Sequence, residues 1–246
     1  MSKRCILYLI FTFLIMTVCW GTCLICSFSG YVLSEHPVLY LPYILGGLSP
    51  TVASFLVVRT EGGHYIKVWL KSTFDFNHGF YAYMLPVFLT AVFFISLCLL
   101  SGFDDGAPWF SIIFMVPMML FCGGLEEAGW RGVLQPELEN RFGFTLSTLI
   151  TAAIWAIWHL PLFFIVGVSQ YGTSFGIFAL NILGLSFALA AIRKCTGSTW
   201  LCILFHCLVN SMHGICLIHE NMIASAVTAA ILVLVSYLLR WLNRKY

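Results

Sequence analysis

The chain has 246 residues, of which 61% are hydrophobic and only 9% are charged, and its formal net charge is +2 at pH 7. Soluble proteins are about one quarter charged, so this composition excludes an ordinary soluble domain. Apolar stretches of about 20 residues, each long enough to cross about 30 Å of hydrocarbon as a helix, recur along the whole sequence. We therefore predict a single integral membrane domain, residues 1–246, of the all-α class, with the lipid bilayer and no nucleic acid among its partners.

Eight transmembrane helices are predicted from the apolar stretches and the polar or glycine-containing segments between them. In chain order they cover residues 5–28, 37–58, 80–100, 109–135, 144–168, 175–192, 199–218 and 222–242. The first has a long apolar core with no small-residue cleavage site after it, so it is expected to be retained as an anchor. Residues 59–78 are expected to form a short amphipathic helix at the cytoplasmic surface.

The basic residues give an independent test of this topology. With a cytoplasmic N-terminus, eleven of the twelve Lys and Arg residues fall in cytoplasmic segments and the twelfth, Arg131, lies inside a predicted span. Since cytoplasmic loops of membrane proteins are enriched in Lys and Arg, both termini are predicted to be cytoplasmic. The eleven residues are Lys3, Arg4, Arg59, Lys67, Lys71, Arg141, Arg193, Lys194, Arg240, Arg244 and Lys245.

Three ionisable residues lie near the end of the fourth predicted span, in the sequence GGLEEAGWRGVLQ. A charge at the centre of a bilayer costs about 3 kcal/mol or more, so such residues indicate function. Glu127 and Arg131 are four residues apart with the acid first, which favours an ion pair on one helix face. Glu126 is rotated by about 100° from Glu127, so it is expected to point separately into a cavity.

Further polar residues occur in the fifth and seventh spans. The fifth, AAIWAIWHLPLFF, contains His159, and the seventh, ILFHCLVNSMHG, places His206 and Asn210 four residues apart on one face. Glu126, His206 and His159 should lie about 15, 10 and 20 Å from the inner ends of their spans, at about 1.5 Å per residue. A cavity open toward the cytoplasm is therefore predicted to gather them, with His213 as a packing residue.

These residue types favour hydrolysis of an amide bond. Glu126 and His159 could deprotonate a water molecule and direct it at a carbonyl carbon. His206 and Asn210 could donate hydrogen bonds to the resulting oxyanion, each worth about 3 kcal/mol. Glu126, His159 and His206 also have the chemistry of a zinc-ligand set, but the sequence has no H-E-x-x-H motif and leaves the metal open.

The arrangement of these motifs resembles a known family. Glu126-Glu127-x-x-x-Arg131, the His159 helix and His206-x-x-x-Asn210 are similar, in order and spacing, to the motifs of the CPBP intramembrane proteases. This family contains CAAX prenyl endopeptidases and bacteriocin-processing or bacteriocin-immunity membrane proteins. Three segments around the motifs resemble sequences of its prokaryotic branch: EEAGWRGVLQPEL, IWAIWHLPLFF and TGSTWLCILFHCLVN. The motif-bearing region covers about residues 107–218, and the first three spans agree only in general character.

The resemblance implies a role for each motif residue. One position departs from the pattern, because the family often has Phe four residues before the second-motif histidine and Trp155 stands there. An aromatic side chain is retained, so we expect activity to be retained. The implied roles are catalysis for Glu126, water positioning for His159, oxyanion stabilisation for His206 and Asn210, and support for Glu127 and Arg131.

The leading functional hypothesis is therefore an intramembrane metalloendopeptidase of the CAAX type. Its substrate would be a peptide or a prenylated peptide, and its location a prokaryotic cell membrane, crossed several times. Whether a divalent metal such as Zn²⁺ assists the reaction stays open. The alternative is a bacteriocin-immunity or scaffold protein that uses the same fold without proteolysis, and the absence of an internal repeat argues against a transporter.

Overall fold

The computed structural model describes residues 2–243, and most of them are helical. The first half contains α1 (Lys3–Phe28), α2 (Tyr40–Gly47), α3 (Ser49–Glu61), α4 (Gly63–Thr73) and α5 (Phe80–Ser101). Strand β1 (Phe103–Asp105), α6 (Ile112–Phe121) and the short α7 (Glu127–Gly129) follow. The remainder contains α8 (Gln135–His159), α9 (Phe175–Thr196), α10 (Thr199–Ile215), strand β2 (Cys216–Ile218) and α11 (Met222–Asn243).

The helical class and the multi-pass character are confirmed by this architecture. Within residues 2–243, five helical segments are long and apolar enough to cross a membrane: Lys3–Phe28, Phe80–Ser101, Trp109–Phe164, Phe175–Thr196 and Met222–Asn243. The pair Pro37–Gly47 and Ser49–Glu61, bent by 50°, makes a sixth when counted as one span. The eight-span count and the orientation of the termini stay predictions.

Several predicted boundaries are wrong. The predicted span 109–135 is not one helix, because α6 ends at Phe121 and an irregular segment follows it. The predicted span 144–168 is helical only to His159, beyond which Leu160–Phe164 forms a 3₁₀ helix. The predicted span 199–218 ends at Ile215, and its last three residues form β2. The amphipathic helix expected within residues 59–78 is present as α4.

The core of the bundle is built around α9 and α10. Helix α11 packs along α9, while α10 packs against α5, α6 and α9. The N-terminal helix α1 packs against α2 and α3 and closes one side. Helix α6 differs from the others because none of its residues is buried, so it lies on the edge of the bundle.

One end of the bundle carries the ion pairs of Arg4 and Lys194, and we call it the basic end. It consists of residues 2–4, 59–61, 136–142 and 193–197, together with Arg240, whose guanidinium lies 3.8 Å from the ring centroid of Phe144. Arg4 pairs with Glu61 at 3.3 Å and with Glu137 at 3.8 Å, and Lys194 pairs with Glu139 at 3.4 Å. The predicted cytoplasmic residues Arg244 and Lys245 lie outside the described residues.

The opposite end is held by backbone pairing, and we call it the ribbon end. It consists of β1, β2, residues 165–174 and residues 219–221. The two strands pair antiparallel, with Phe103 opposite Ile218. The Ser174 backbone N–H also donates to Glu220 Oε1 at 3.0 Å. Segments that the predicted topology places on the same side of the membrane therefore contact one another at each end.

Candidate active site

The helix is interrupted after α6, and this interruption at Gly123 lies directly beside the site. Gly123 has φ 146° and ψ −51°, a conformation that other L-residues rarely adopt. A Cβ at this position would collide with Asn210 Nδ2 and would also meet His206 Nε2. Only glycine therefore lets the backbone pass directly beside these two side chains. The Asn210 amide donates to Cys122 O at 3.3 Å and ties the break to α10.

The chain then continues through irregular helix. A 3₁₀ turn at Gly124–Glu126 leads into α7, and Trp130–Leu134 is a π-helix before α8 begins. Such π segments are rare and are frequent at functional sites. The segment carries all three ionisable residues that the sequence placed inside the fourth span.

Glu127 and Arg131 form the predicted ion pair. Arg131 Nη1 lies 3.0 Å from Glu127 Oε2 and 3.3 Å from its Oε1, and both side chains have 0% exposure. Arg131 Nη2 donates to Ser186 Oγ on α9 at 3.1 Å. Ser186 was not singled out from the sequence, because an isolated serine in an apolar helix gives no signal of its partner.

The Glu127 carboxylate also binds His206, on the side of the ring away from Gly123. Its Nδ1–H donates to Glu127 Oε1 at 2.8 Å. Glu127 therefore joins Arg131 to His206, while His206 Nε2 is the ring nitrogen next to Gly123. The sequence predicted a supporting role for Glu127 but not this contact, since α7 and α10 are 79 residues apart in the chain.

Glu126 is 6% exposed and takes a different direction, as its helical phase predicted. Its Oε2 accepts hydrogen bonds from Trp155 Nε1 at 3.0 Å and from Trp130 Nε1 at 3.4 Å. Among residues 2–243, no hydrogen-bond donor contacts Oε1. One oxygen is therefore fixed by two indoles, and the other is left for a ligand.

His159, within the fifth predicted span, is the last residue of α8. Its Nδ1–H donates to the Trp155 carbonyl at 2.8 Å, which leaves Nε2 as the nitrogen with a free lone pair in the neutral ring. The ring packs against Trp158 and Phe178, with centroid distances of 4.7 and 5.0 Å, and Trp20 lies at 6.4 Å. Packing on three sides fixes the orientation of the imidazole.

Trp155 is the side chain that connects these groups. Besides its bonds to Glu126 and His159, its ring centroid lies 5.4 Å from that of His206 and 4.7 Å from the Arg131 guanidinium carbon. From the sequence, Trp155 was noted only as the aromatic residue at a position where the family often has Phe. Its indole N–H, which phenylalanine lacks, was the feature that could have predicted the bond to Glu126.

A cavity of about 760 Å³ joins the predicted catalytic residues. Glu126, His159, His206 and Asn210 all line it, whereas Glu127 and Arg131 lie behind its wall. His213 lines it as well and packs on Phe93 and Phe94, so the expectation of a packing role was incomplete. Trp20 and Tyr43 bring the first half of the chain into the wall.

The direction of the cavity differs from the prediction. Its lining continues to Ser169, Gln170, Thr173, His219 and Glu220, which belong to the ribbon end. Within the described chain, none of its lining residues belongs to the basic end. The sequence predicted a cavity open on the side of the basic end, whereas the described lining lies at the ribbon end and in the middle of the bundle.

The proposed metal ligands do not form a closed set. Glu126, His159 and His206 were considered for zinc, but no group of three His, Cys, Asp or Glu side chains among residues 2–243 is arranged to hold an ion. The Nδ1 atoms of both histidines are bonded, to Trp155 O and to Glu127, so only Nε2 of each ring could bind an ion. As placed, the three side chains do not form a three-ligand zinc site.

The fold and the site together define a multi-pass helical membrane protein with a buried acid, imidazole and carboxamide cluster on an internal cavity. Residues 108–212 match the family model described as type II CAAX prenyl endopeptidase Rce1-like. The chain is also 26% identical over 235 residues to CAAX prenyl protease 2 of Methanococcus maripaludis, with 83% of this chain and 82% of the relative covered. Both matches are to CAAX prenyl proteases, which supports the family predicted from the motifs and a CAAX-type peptidase activity.

Proposed function

We propose that Glu126 and His159 activate a water molecule that hydrolyses a peptide bond within the membrane. The observation that carries this proposal is the double contact of Trp155, whose indole binds Glu126 and whose carbonyl binds His159 on one cavity wall. Glu126 accepts one proton from the water molecule, and the water oxygen attacks the carbonyl carbon of the peptide bond. Glu126 then returns the proton to the amide nitrogen as the C–N bond breaks.

The negative oxygen formed by this attack needs donors on the cavity wall. His206 and Asn210 are suited to this role because both lie beside the Gly123 break and line the cavity. Asn210 has a second amide hydrogen besides the one directed at Cys122. His206 can donate from Nε2 in its imidazolium form, with Nδ1–H on Glu127. Each such donor contributes about 3 kcal/mol to transition-state stabilisation.

Glu127 and Arg131 act through His206 in this proposal. A carboxylate that accepts from a ring nitrogen fixes the orientation of the imidazole, and Arg131 and Ser186 in turn fix the carboxylate. No step in the proposed reaction passes through a metal ion, because the described ligands do not form a zinc set.

The proposed substrate is a prenylated peptide. The related archaeal protein is named a prenyl protease, and the cavity combines the polar site with an apolar wall that includes Leu97, Ile182 and Leu185. Burial of a hydrocarbon chain contributes about 0.8 kcal/mol per CH₂. An apolar anchor next to the scissile bond would therefore add substantially to binding.

Purified protein in lipid vesicles should cleave a farnesylated CAAX-type peptide with a kcat/KM at least about 10-fold above that of the same peptide without the lipid. Mass spectrometry of the products measures both rates and identifies the cleaved bond, with the Glu126→Gln protein as the matched blank. Equal rates for both peptides would contradict the prenyl preference and leave hydrolysis standing. No cleavage of any peptide would contradict the proposed reaction.

Substitution of Trp155 by Phe is expected to lower kcat by about 10- to 100-fold. The change keeps an aromatic ring but removes the N–H that donates to Glu126 Oε2, and hydrogen bonds to charged groups contribute about 1.5–3 kcal/mol. The matched control is Trp200→Phe, since the Trp200 indole N–H is buried without an acceptor among the described residues. Equal kcat values for both variants and the native protein would show that the indole does not position Glu126.

We also propose eight spans, with both termini on the cytoplasmic face of a prokaryotic cell membrane. The separation of a basic end from a ribbon end supports this topology, because the ion pairs and the strand pairing described at the two ends join segments predicted to share a side. The archaeal source of the curated relative supports the assignment to a prokaryote.

A further inference from the structure

We propose that a second cavity, at the basic end of the bundle, binds the headgroup of an anionic phospholipid of the phosphatidylglycerol type. This cavity is separate from the one that contains Glu126. It has a volume of about 270 Å³ and lies between the start of α8 and the end of α9. Its lining consists of Gln135, Pro136, Glu139, Asn140, Arg193 and Lys194.

Gln135 carries a buried hydrogen-bond acceptor without a partner. The residue is 1% exposed, and its Nε2 donates to Glu139 Oε1 at 3.1 Å and to Thr148 Oγ1 at 3.2 Å. The amide is fixed in this sense, because a carboxylate only accepts and the Thr148 hydroxyl already donates to Phe144 O at 2.7 Å. Gln135 Oε1 then has no donor among residues 2–243. Since buried acceptors are rarely left unpaired, a ligand that brings an O–H or N–H group is expected here.

Arg193 and Lys194 supply the positive charge of the cavity. Lys194 Nζ pairs with Glu139 Oε2 at 3.4 Å, and about half of the lysine side chain is exposed. Arg193 donates through Nε to Arg131 O at 3.3 Å and through Nη1 to Gly197 O, and its Nη2 has no acceptor among the described residues. Two cations and one carboxylate leave a net charge of about +1, which suits a ligand with one negative charge.

A phosphodiester that also carries hydroxyl groups meets both requirements. Its phosphate bears one negative charge for Arg193 and Lys194, and a glycerol hydroxyl donates to Gln135 Oε1. Phosphatidylcholine has the same phosphate, but its quaternary ammonium has no N–H group, and phosphatidylethanolamine has the donor but no net charge. A water molecule occupies about 30 Å³, so the cavity is large enough for the roughly ten non-hydrogen atoms of a phosphoglycerol headgroup.

The place of the cavity favours a lipid as the source of this phosphate. Arg193 and Lys194 stand in the last turn of α9, a helix long and apolar enough to cross a membrane, so the cavity lies at headgroup level whichever face it occupies. Basic pockets between transmembrane helices bind anionic headgroups in other membrane proteins. Arg193 also donates to the Arg131 carbonyl, which belongs to the π-helix. A bound headgroup would therefore help to hold the segment that carries the buried ion pair.

Native mass spectrometry of the purified full-length protein in detergent tests this site by titration with phosphatidylglycerol, phosphatidylethanolamine, phosphatidylcholine, glycerol 1-phosphate and inorganic phosphate. We expect phosphatidylglycerol to bind at least about 10-fold more tightly than phosphatidylcholine. Lys194→Gln and Arg193→Gln should each weaken its binding by about 5-fold. The matched control is Lys67→Gln, which removes the same charge at an exposed position of α4 and should bind as the native protein does.

A further variant tests the unpaired acceptor. Gln135→Met keeps the length of the side chain but removes Oε1, so it should reduce the preference for phosphatidylglycerol over phosphatidylcholine by about 5-fold. Equal affinities for phosphatidylglycerol and either other lipid, or equal losses in Lys194→Gln and Lys67→Gln, would overturn the proposal. Glycerol 1-phosphate or inorganic phosphate binding as tightly as phosphatidylglycerol would overturn the assignment to a lipid. The measurement involves no cleavage, so its result is independent of the proposed peptide hydrolysis.

Discussion

Replacement of Glu126 by Gln is expected to reduce kcat by about 1,000-fold or more. The carboxamide keeps an oxygen for the indole N–H groups of Trp130 and Trp155 but cannot take a proton from water, and general-base catalysis contributes about 10² to 10⁴. The fold should be unaffected, because the two side chains have the same shape. Single-turnover cleavage of the prenylated peptide measures the rate, and thermal unfolding in detergent measures stability.

The matched control for this variant is Glu35→Gln, which makes the same chemical change at an exposed turn. It should retain the native rate. The comparison also separates enzyme from immunity factor or scaffold. If Glu126→Gln abolished cleavage but left a protective phenotype or partner binding intact, that phenotype would not depend on hydrolysis. A native rate in Glu126→Gln would rule out the glutamate as the base.

Substitution of Arg131 by Met is expected to lower the free energy of unfolding by about 3–5 kcal/mol. It leaves Glu127 as a buried carboxylate without its main cationic partner, and breaking a buried ion pair costs this amount. Cleavage should also slow, because Glu127 would no longer be fixed against His206. Denaturant unfolding in detergent micelles gives the first quantity, and kcat gives the second.

Arg4→Met is the control for Arg131→Met, because it breaks a partly exposed ion pair instead of a buried one. Arg4 is about one third exposed and pairs with Glu61 and Glu137, so its loss should cost less than about 1 kcal/mol. The double variant Glu127→Gln with Arg131→Met removes both buried charges and should recover most of the stability lost in the single variant. Equal losses for Arg131→Met and Arg4→Met would show that burial does not strengthen the pair.

Local spacing predicted the central ion pair from the sequence. The i to i+4 spacing of Glu127 and Arg131 was enough, since it corresponds to about one helical turn and the pair is kept in the change from α- to π-helix. The separate direction of Glu126 followed from the same geometry. The order of the motifs predicted that His159, His206 and Asn210 share one site, and all three line the cavity with Glu126.

Contacts between distant segments could not be predicted in this way. The bonds from Trp155 to Glu126 and from Arg131 to Ser186 join residues 29 and 55 positions apart. The ends of two spans were wrong for the same reason. Residues 216–218 continue an apolar helix in the sequence, but pairing with β1, more than 100 positions earlier, converts them to a strand. Hydropathy alone does not encode such a partner.

The aromatic side chains around the site bear on whether the matched segment, residues 108–212, could fold without α1. Residues 108–212 match the family model, yet Trp20 lies with its ring centroid 4.5 Å from that of Trp158, and Tyr8 packs on Trp130 at 5.7 Å. Both contacts come from α1. A fragment cut to the matched segment would expose these indoles, so the matched segment is not a self-sufficient module. The N-terminal helix thus supplies part of the pocket that surrounds the chemistry.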